Sequence, residues 1–389
     1  MSTSSADIRD CCGPSGPGDP DRTPSFALSR PTHHVFAYGS EAQFDNVDAA
    51  RLALAAKSHG QIVGALPFDL RQPAALTAPS RFVRRSQRLQ PSPPALPPVE
   101  ILRSEPPPDE HVRRVADAIR VLTDPDTRLA KVVLARTVLL RAAGTIEPLD
   151  LFARLVAADP NSNGLLADLS PAGKHYRGHH LIGSSPEVLV RKSGSTVICH
   201  PLAGSAPRLD DPDADRANGD MLVASAKDQY EHAFVVDALA SALAPLCSGL
   251  DVPAAPTLTR TQDLWHLGTR IEGTVRDPGT SALDLAVALH PTPAVCGTPT
   301  TSAREFILGH EGDRGFYAGT VGWCDSAGDG EWMVSIRCAE LLGDHRTLRA
   351  SAGGGIVAGS DPGLELAETT AKFRTMFSAL DVGVVATDP

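Results

Sequence analysis

One stretch near the C-terminus, Ala350 to Leu380 (ASAGGGIVAGSDPGLELAETTAKFRTMFSAL), constrains the fold more than any other. It joins a glycine run to an amphipathic helix. Gly353, Gly354 and Gly355 sit in a short apolar segment that ends at Ile356-Val357, leaving bare backbone where a strand is expected. Ser360-Asp361-Pro362 opens the helix with a short polar cap and a proline tolerated in the first turn. Phe373, Met376, Phe377 and Leu380 recur at helical spacing and should face a core. Glu365, Glu368 and Lys372 recur at i, i+3 and i+7 and share another face. Two carboxylates three residues apart repel unless a cation lies near. The stretch therefore offers a face for a divalent ion and backbone that an anion can approach. The same acidic pattern also occurs on solvated helix faces. The glycines do not follow G-x-G-x-x-G before a helix, and no G-x-x-x-x-G-K-[ST] occurs, so a nucleotide loop is disfavoured.

The 389 residues suffice for one large or two medium domains. A net charge of −10 and a pI near 5.7 disfavour nucleic acid and anionic membranes as partners. An anionic substrate would need positive charge supplied locally. No apolar run approaches a membrane span, and Met1 to Ser25 lacks a basic-then-apolar leader pattern, so a cytoplasmic protein is expected. The seven cysteines are odd in number, irregularly spaced and form no CxxC pair, which indicates neither a zinc site nor a disulfide framework.

Residues 1–31, rich in Ser, Gly, Pro and Asp, are expected to be a disordered tail. Residues 32–108 read as the N-terminal part of the fold, ending in a long proline-rich irregular connection that carries Arg81, Arg84, Arg85 and Arg88. Residues 109–380 carry the sharper patterning, and 381–389 read as a C-terminal tail. Helices are predicted at Glu110–Leu122, Leu149–Ala157, Asp220–Leu246 and Ala282–Leu289. Lys131–Leu140 reads as a buried strand, and Phe316–Cys324 with Glu331–Leu341 as a hairpin. Helices and short strands mix without a βαβ rhythm. The expected class is α+β, with helices outside large, mainly antiparallel sheets.

Several side chains carry chemical potential. Asp228 and Glu231 share a helix face, and two carboxylate-bearing helices are one way to build a Mg²⁺ site with room for a substrate carboxylate. Glu187 follows Ser184-Ser185-Pro186, where a bend could desolvate it into a general acid; a turn glutamate is also often simply wet. Lys131 opens an otherwise apolar strand and either snorkels to water or points into a pocket as a base. His266 alone reads more readily as a structural histidine. Arg337, inside an apolar stretch, wants a carboxylate from the protein or from a ligand.

The stretches KVVLAR, GSSPEVL, HPLAGSAPR, SAKDQYEH, LWHLGT, HPTPAVCGTP, YAGTVGW, IRCAE and AGGGIVAGSDPGLELAETTAK run in order from Lys131 to Lys372. Together they resemble the chorismate-utilising enzymes, which include isochorismate synthases, salicylate synthases and the large subunits of anthranilate and aminodeoxychorismate synthases. The resemblance implies a single fold of the anthranilate synthase component I type. It covers the C-terminal two-thirds of the chain. Ala203 stands where aminodeoxychorismate synthases carry a lysine nucleophile, so that covalent route is unavailable. Lys131 stands where anthranilate synthases carry glutamine, which fits activation of water rather than use of ammonia. HPTPAVCGTP resembles the isochorismate synthase branch.

The resemblance thus implies Mg²⁺-dependent, reversible isomerisation of chorismate to isochorismate, with Lys131 as base and Glu187 as acid. It places Mg²⁺ on Glu231 and Glu368, with Glu365 and Asp228 behind them. It gives Gly204 and Ser205 to the ring carboxylate, with Lys372 nearby. Tyr317, Arg337 and the Gly353–Gly355 backbone would hold the enolpyruvyl carboxylate, and His266 would lie beside the ring. A monomer without a glutaminase subunit is implied. The alternative is a salicylate synthase, which goes on to eliminate pyruvate.

Overall fold

The computed structural model describes residues 23–383. Two large antiparallel sheets lie face to face. In the ten-stranded sheet, the path runs Gly297–Thr298, Lys131–Ala142, Thr347–Ile356, Cys338–Leu341, His180–Gly183, Gly164–Asp168, Phe26–Ser29, His34–Tyr38, Arg81–Arg85, and Val99–Glu105 also pairs with Lys131–Ala142. The nine-stranded sheet runs from Cys247–Asp251 through Ile271–Val275, Thr196–His200, Val188–Ser193, Gly330–Val334, Thr320–Asp325, Gln61–Leu66 and Ala75–Ala78 to Ala42–Phe44. A three-stranded sheet, Leu202–Pro207, Leu264–Gly268 and Thr257–Arg260, stands beside the helix Ala226–Leu243.

Side-chain alternation explains the sandwich. Phe26, Leu28, Val35 and Ala37 point inward, onto Val63, Val321, Trp323 and Met333 of the other sheet. Their neighbours Ala27, Phe36 and Tyr38 point outward and join Phe152, Phe373, Met376 and Phe377 of the helices Pro148–Ala158 and Pro362–Ala379. Strands covered on both faces read as continuous apolar runs. The other sheet is covered on its outer side by Val235 and Leu239 of the helix Ala226–Leu243 and by Ala282–Leu289. The expected α+β class and single fold hold.

Four expectations need correction. The tail expected over 1–31 contains the buried central strand Phe26–Ser29, whose neighbours Arg30 and His33 reach across to Glu331 at 3.4 and 2.9 Å. Residues 1–22, like 384–389, lie outside the described residues. The connection after Ala74 is not irregular throughout. It holds Ala75–Ala78, Arg81–Arg85 and Val99–Glu105, and its arginines stack, Arg81 over Tyr38 and Arg84 over Trp323. The single helix expected over Asp220–Leu246 is two, Pro212–Ala224 and Ala226–Leu243, because Ser225 leaves helical geometry and caps the second through Asp228 N. Finally, the limb Glu331–Leu341 changes sheets: Gly330–Val334 belongs to one and Cys338–Leu341 to the other. Arg337 sits at that corner with φ 52°, not inside a strand. The helix Thr300–His310 was not foreseen.

Two features position the site. The strand Lys131–Ala142 pairs with Thr347–Ile356 so that Gly355 faces Val133 and Gly353 faces Ala135. The helix Pro362–Ala379 then packs back over the strand Thr347–Ile356.

Phe26→Ala should cost about 3–5 kcal/mol of stability, the usual range for emptying a fully buried aromatic site. Urea unfolding followed by tryptophan fluorescence measures it; a loss under about 1 kcal/mol would show that this strand is not part of the core.

Candidate active site

The three glycines make room first for the protein's own side chains. A Cβ on Gly355 would stand 2.3 Å from Glu231 Oε1 and 2.9 Å from Lys131 Cε. On Gly354 it would stand 3.0 Å from Glu365 Oε2 and 3.7 Å from Glu368 Oε1, and on Gly353 3.1 Å from Tyr317 Oη. Three carboxylates and a phenol thus lie directly against the sheet backbone. Any larger residue at Gly355 would overlap Glu231.

Each of three carboxylates meets a lysine. Lys131, fully buried, places Nζ 2.9 Å from Glu231 Oε1. Lys372 Nζ lies 2.6 Å from Glu368 Oε1 and donates to Gly353 O at 2.8 Å. Lys227 Nζ lies 3.4 Å from Glu365 Oε1. Burial would raise the Glu231 carboxyl, but Lys131, then Lys227 and Lys372, more than offset it and hold it below the usual range. Glu365 goes the other way: burial and the neighbouring Glu368 push it up to about 7. Its Oε2 is buried without a hydrogen-bond partner. Asp228 accepts from the Ser225 hydroxyl and is raised by burial.

Glu187 lies in the same cleft with 2 % of its surface exposed. Burial pushes its carboxyl up to about 8, although the Leu202 main chain and the charges of Lys131, Lys372 and Arg337 pull it down. It is therefore protonated at neutral pH and able to donate. His266, across the register from Ser205, is buried with Nε2 unpartnered; burial drives its imidazole well below the usual value and keeps it neutral. Burial raises the Tyr317 phenol, so it stays a donor. Arg337 is buried, and burial lowers it. The Arg337 side chain forms no ion pair within 4 Å among the described residues, which leaves a cation facing the cleft.

The cleft has about 740 Å³, open mouth included. Gly204, Ser205, Glu231, Glu368 and Lys372 line it, as do Tyr317, Gly353 and Gly355. Lys131 stands behind Glu231 and Gly355 rather than on the surface of the cleft. From HPTPAVCGTP, Ala294 and Val295 reach the cleft, while His290 is an anchor: its Nε2–H points at Pro67 O and Phe68 O, both 3.1 Å away. The polar stretch 172–180 lies apart, with His175 and Tyr176 on a neighbouring cavity that shares Tyr317 and Ser351 with the cleft.

Sequence reasoning missed Glu311 and Arg314. The strand Lys131–Ala142 lacks a neighbour between Gly297–Thr298, which reaches Val132, and Val99–Glu105, which reaches Thr137. The pair fills that gap. Glu311 Oε1 accepts from Ala135 N at 2.7 Å, and Arg314 donates to Val133 O at 2.8 Å and Val295 O at 2.9 Å. In sequence they are an i, i+3 pair like any on a helix surface; only the break in the ladder gives them their place. His232, in the SAKDQYEH stretch, also has a role that only the fold shows. Its Nδ1–H faces Ala203 O at 3.1 Å and its Nε2 accepts from Thr269 Oγ1 at 2.7 Å, which ties the acidic helix to the strand carrying Gly204 and Ser205.

The donor set suits a hard divalent ion. It consists of carboxylate oxygens, and the buried Glu365 Oε2 has no partner of its own. No three such groups converge as a ready coordination sphere among the described residues. A metal would have to draw Glu231 and Glu368 from their lysines.

Fold and cleft together define an enzyme that pairs a neutral carboxylic acid with buried cations over a glycine-lined sheet. The chain belongs to the chorismate binding enzyme family, whose model matches residues 72–381. It is 50% identical over 360 residues to the inferred isochorismate synthase MenF of Mycobacterium tuberculosis, covering 92% of this chain and 96% of that one. It is 45% identical over 336 residues to isochorismate synthase DhbC of Bacillus subtilis, covering 84% and 83%. The crystal structure of the inferred 2,3-dihydroxybenzoate-specific isochorismate synthase DhbC of Bacillus anthracis matches with a TM-score of 0.85 at 40% identity, covering 92% of this chain and 96% of that one.

Two outcomes follow for the site. Gly355→Ala should force Glu231 off Lys131 and reduce turnover at least about tenfold while the circular dichroism spectrum is kept; an unimpaired variant would show the contact is slack. Glu187 contributes stability that is full below the ordinary glutamate pKa and lost as pH rises through about 8. Between about pH 6 and about pH 9, Glu187→Gln should therefore lose less stability than the parent, by about 1 kcal/mol or more in urea unfolding. An equal loss in both would place the Glu187 titration elsewhere.

Proposed function

We propose that this protein is an isochorismate synthase that reversibly isomerises chorismate. The observation that supports the reading is the placing of the buried Glu187, whose carboxyl burial pushes up to about 8, in the cleft, with the buried Lys131 directly behind Glu231 and Gly355 of the cleft wall. Isomerisation needs both. Lys131 takes a proton from a water that attacks ring C2. Glu187 gives its proton to the C4 hydroxyl, which leaves as water because hydroxide is a poor leaving group. The ring double bonds shift between the two positions. One water enters and one leaves, so atoms balance. To act as a base, Lys131 must first be released from its 2.9 Å ion pair with Glu231.

The remaining residues bind and orient. The Gly204 and Ser205 amides take the ring carboxylate, with Lys372 nearby. Tyr317, the unpaired Arg337 and the backbone of Gly353 to Gly355 take the enolpyruvyl carboxylate. His266, neutral and with Nε2 free, lies beside the ring. A magnesium ion on Glu231 and Glu368, with Glu365 and Asp228 behind, would supply charge that neutralises and orients the ring carboxylate. Lys131 in place of glutamine favours an enzyme that works without a glutaminase subunit, as a monomer. Among the described residues no helix is long and apolar enough to cross a membrane. The product would serve menaquinone, siderophore or salicylate routes.

Purified protein incubated with chorismate and Mg²⁺, with products separated by chromatography and identified by mass, should yield isochorismate at equilibrium without pyruvate. Salicylate with pyruvate would move the protein to the salicylate synthase branch. A requirement for ammonia would refute the role of Lys131. Lys131→Ala and Glu187→Gln should each lower kcat by about 10²–10⁴, EDTA should stop turnover, and kcat should fall as pH rises through about 8, where Glu187 loses its proton.

A further inference from the structure

Lys227 takes no part in the reaction proposed above, yet it lies against the acidic cluster, in contact with Glu365. It feels the negative field of all four carboxylates, Glu365 first, then Glu231, Asp228 and Glu368. Its closest contact, Glu365 Oε1, is long at 3.4 Å. Glu365 itself is 2 % exposed, and its second oxygen is buried with no hydrogen-bond partner. A buried carboxylate oxygen left bare beside a loosely held ammonium is a site built for a stronger cation.

The three lysines differ in their freedom to leave. The side chain of Lys131 is 1 % exposed and that of Lys372 18 %, the latter also tied to Gly353 O, whereas that of Lys227 is 41 % exposed. Lys227 stands in the first turn of the helix Ala226–Leu243, where a lysine opposes the helix dipole and gains nothing from it. Its stem can swing into water at small cost. With all four carboxylates ionised, as cation binding requires, the three ammonium groups leave the cluster about one net negative charge. Adding a divalent cation without removing a lysine would leave the cluster positive, which like-charge repulsion opposes.

We propose that Lys227 is the resident counter-ion of this cluster and withdraws to solvent when a divalent cation binds, so that it sets the affinity of the site for that cation. The proposal rests on the magnesium reading above. The displaced charge is half in water and partly screened, so its removal should tighten cation binding by about tenfold rather than by the far larger factor of a buried pair.

The test uses Mn²⁺ as probe on the full chain, with the free ion counted by electron paramagnetic resonance. Lys227→Gln should bind Mn²⁺ about tenfold more tightly than the parent, and Lys227→Arg, which keeps the charge, should bind it as the parent does. Lysine acetylation read by mass spectrometry should label Lys227 faster with Mn²⁺ than without. Unchanged or weaker Mn²⁺ binding by Lys227→Gln, or slower labelling of Lys227 with Mn²⁺, would overturn the proposal while leaving the magnesium reading intact. Absence of Mn²⁺ binding by both parent and Lys227→Gln would overturn both.

Discussion

The contact of Lys131 with Glu231 over the bare Cα of Gly355 is the interaction on which the rest of the site depends. Neither charge could be so deeply buried alone, since the desolvation cost of an unpaired ion exceeds what packing returns. The pair also joins separate parts of the fold. Lys131 comes from the first long strand, Gly355 from the strand that immediately precedes the C-terminal helix, and Glu231 from the helix that faces the small sheet. The Glu311–Arg314 pair secures the same strand from its open edge, and His232 secures the helix to the Leu202–Pro207 strand.

Around that contact the protein resolves a conflict of charge. The chain as a whole carries −10, yet the proposed substrate bears two carboxylates. The cleft is lined by the cations Lys372 and Arg337, with Lys131 behind its wall, and burial of Glu187 disfavours a further negative charge there. The same burial that makes Glu187 useful as an acid makes its ionised form costly, so function and alkaline stability oppose each other at one residue. The acidic cluster beside it is balanced by lysines of unequal mobility, which is why cation exchange, rather than simple occupancy, is the expected behaviour there.

Much of the site was legible because its residues lie in short, unusual strings. A lysine opening an apolar strand, a glutamate after Ser-Ser-Pro, three consecutive glycines and Glu-x-x-Glu-x-x-x-Lys each break an ordinary local pattern. Residues whose roles depend on distant partners were not legible. Arg314 and Glu311 look like a surface pair until the missing ladder bonds of Val133 and Ala135 are known. Phe26–Ser29 is too short and too close to a polar, proline-rich segment to announce a central strand. Ser225 reads as one residue of a long helix, yet its side chain stabilises a cap that divides it.

By itself, the sequence determined the α+β class and the apolar faces of the helices, because periodicity acts over a few residues, while most of the cleft's side chains were named through the family resemblance of their short motifs. The tertiary structure alone decided which carboxylate each lysine holds, that Arg337 turns a corner between sheets with its side chain unpaired, and that Glu187 is dry enough to keep its proton. Those properties are set by burial and by contacts between residues far apart in the chain, and neither can be read before the chain has closed on itself.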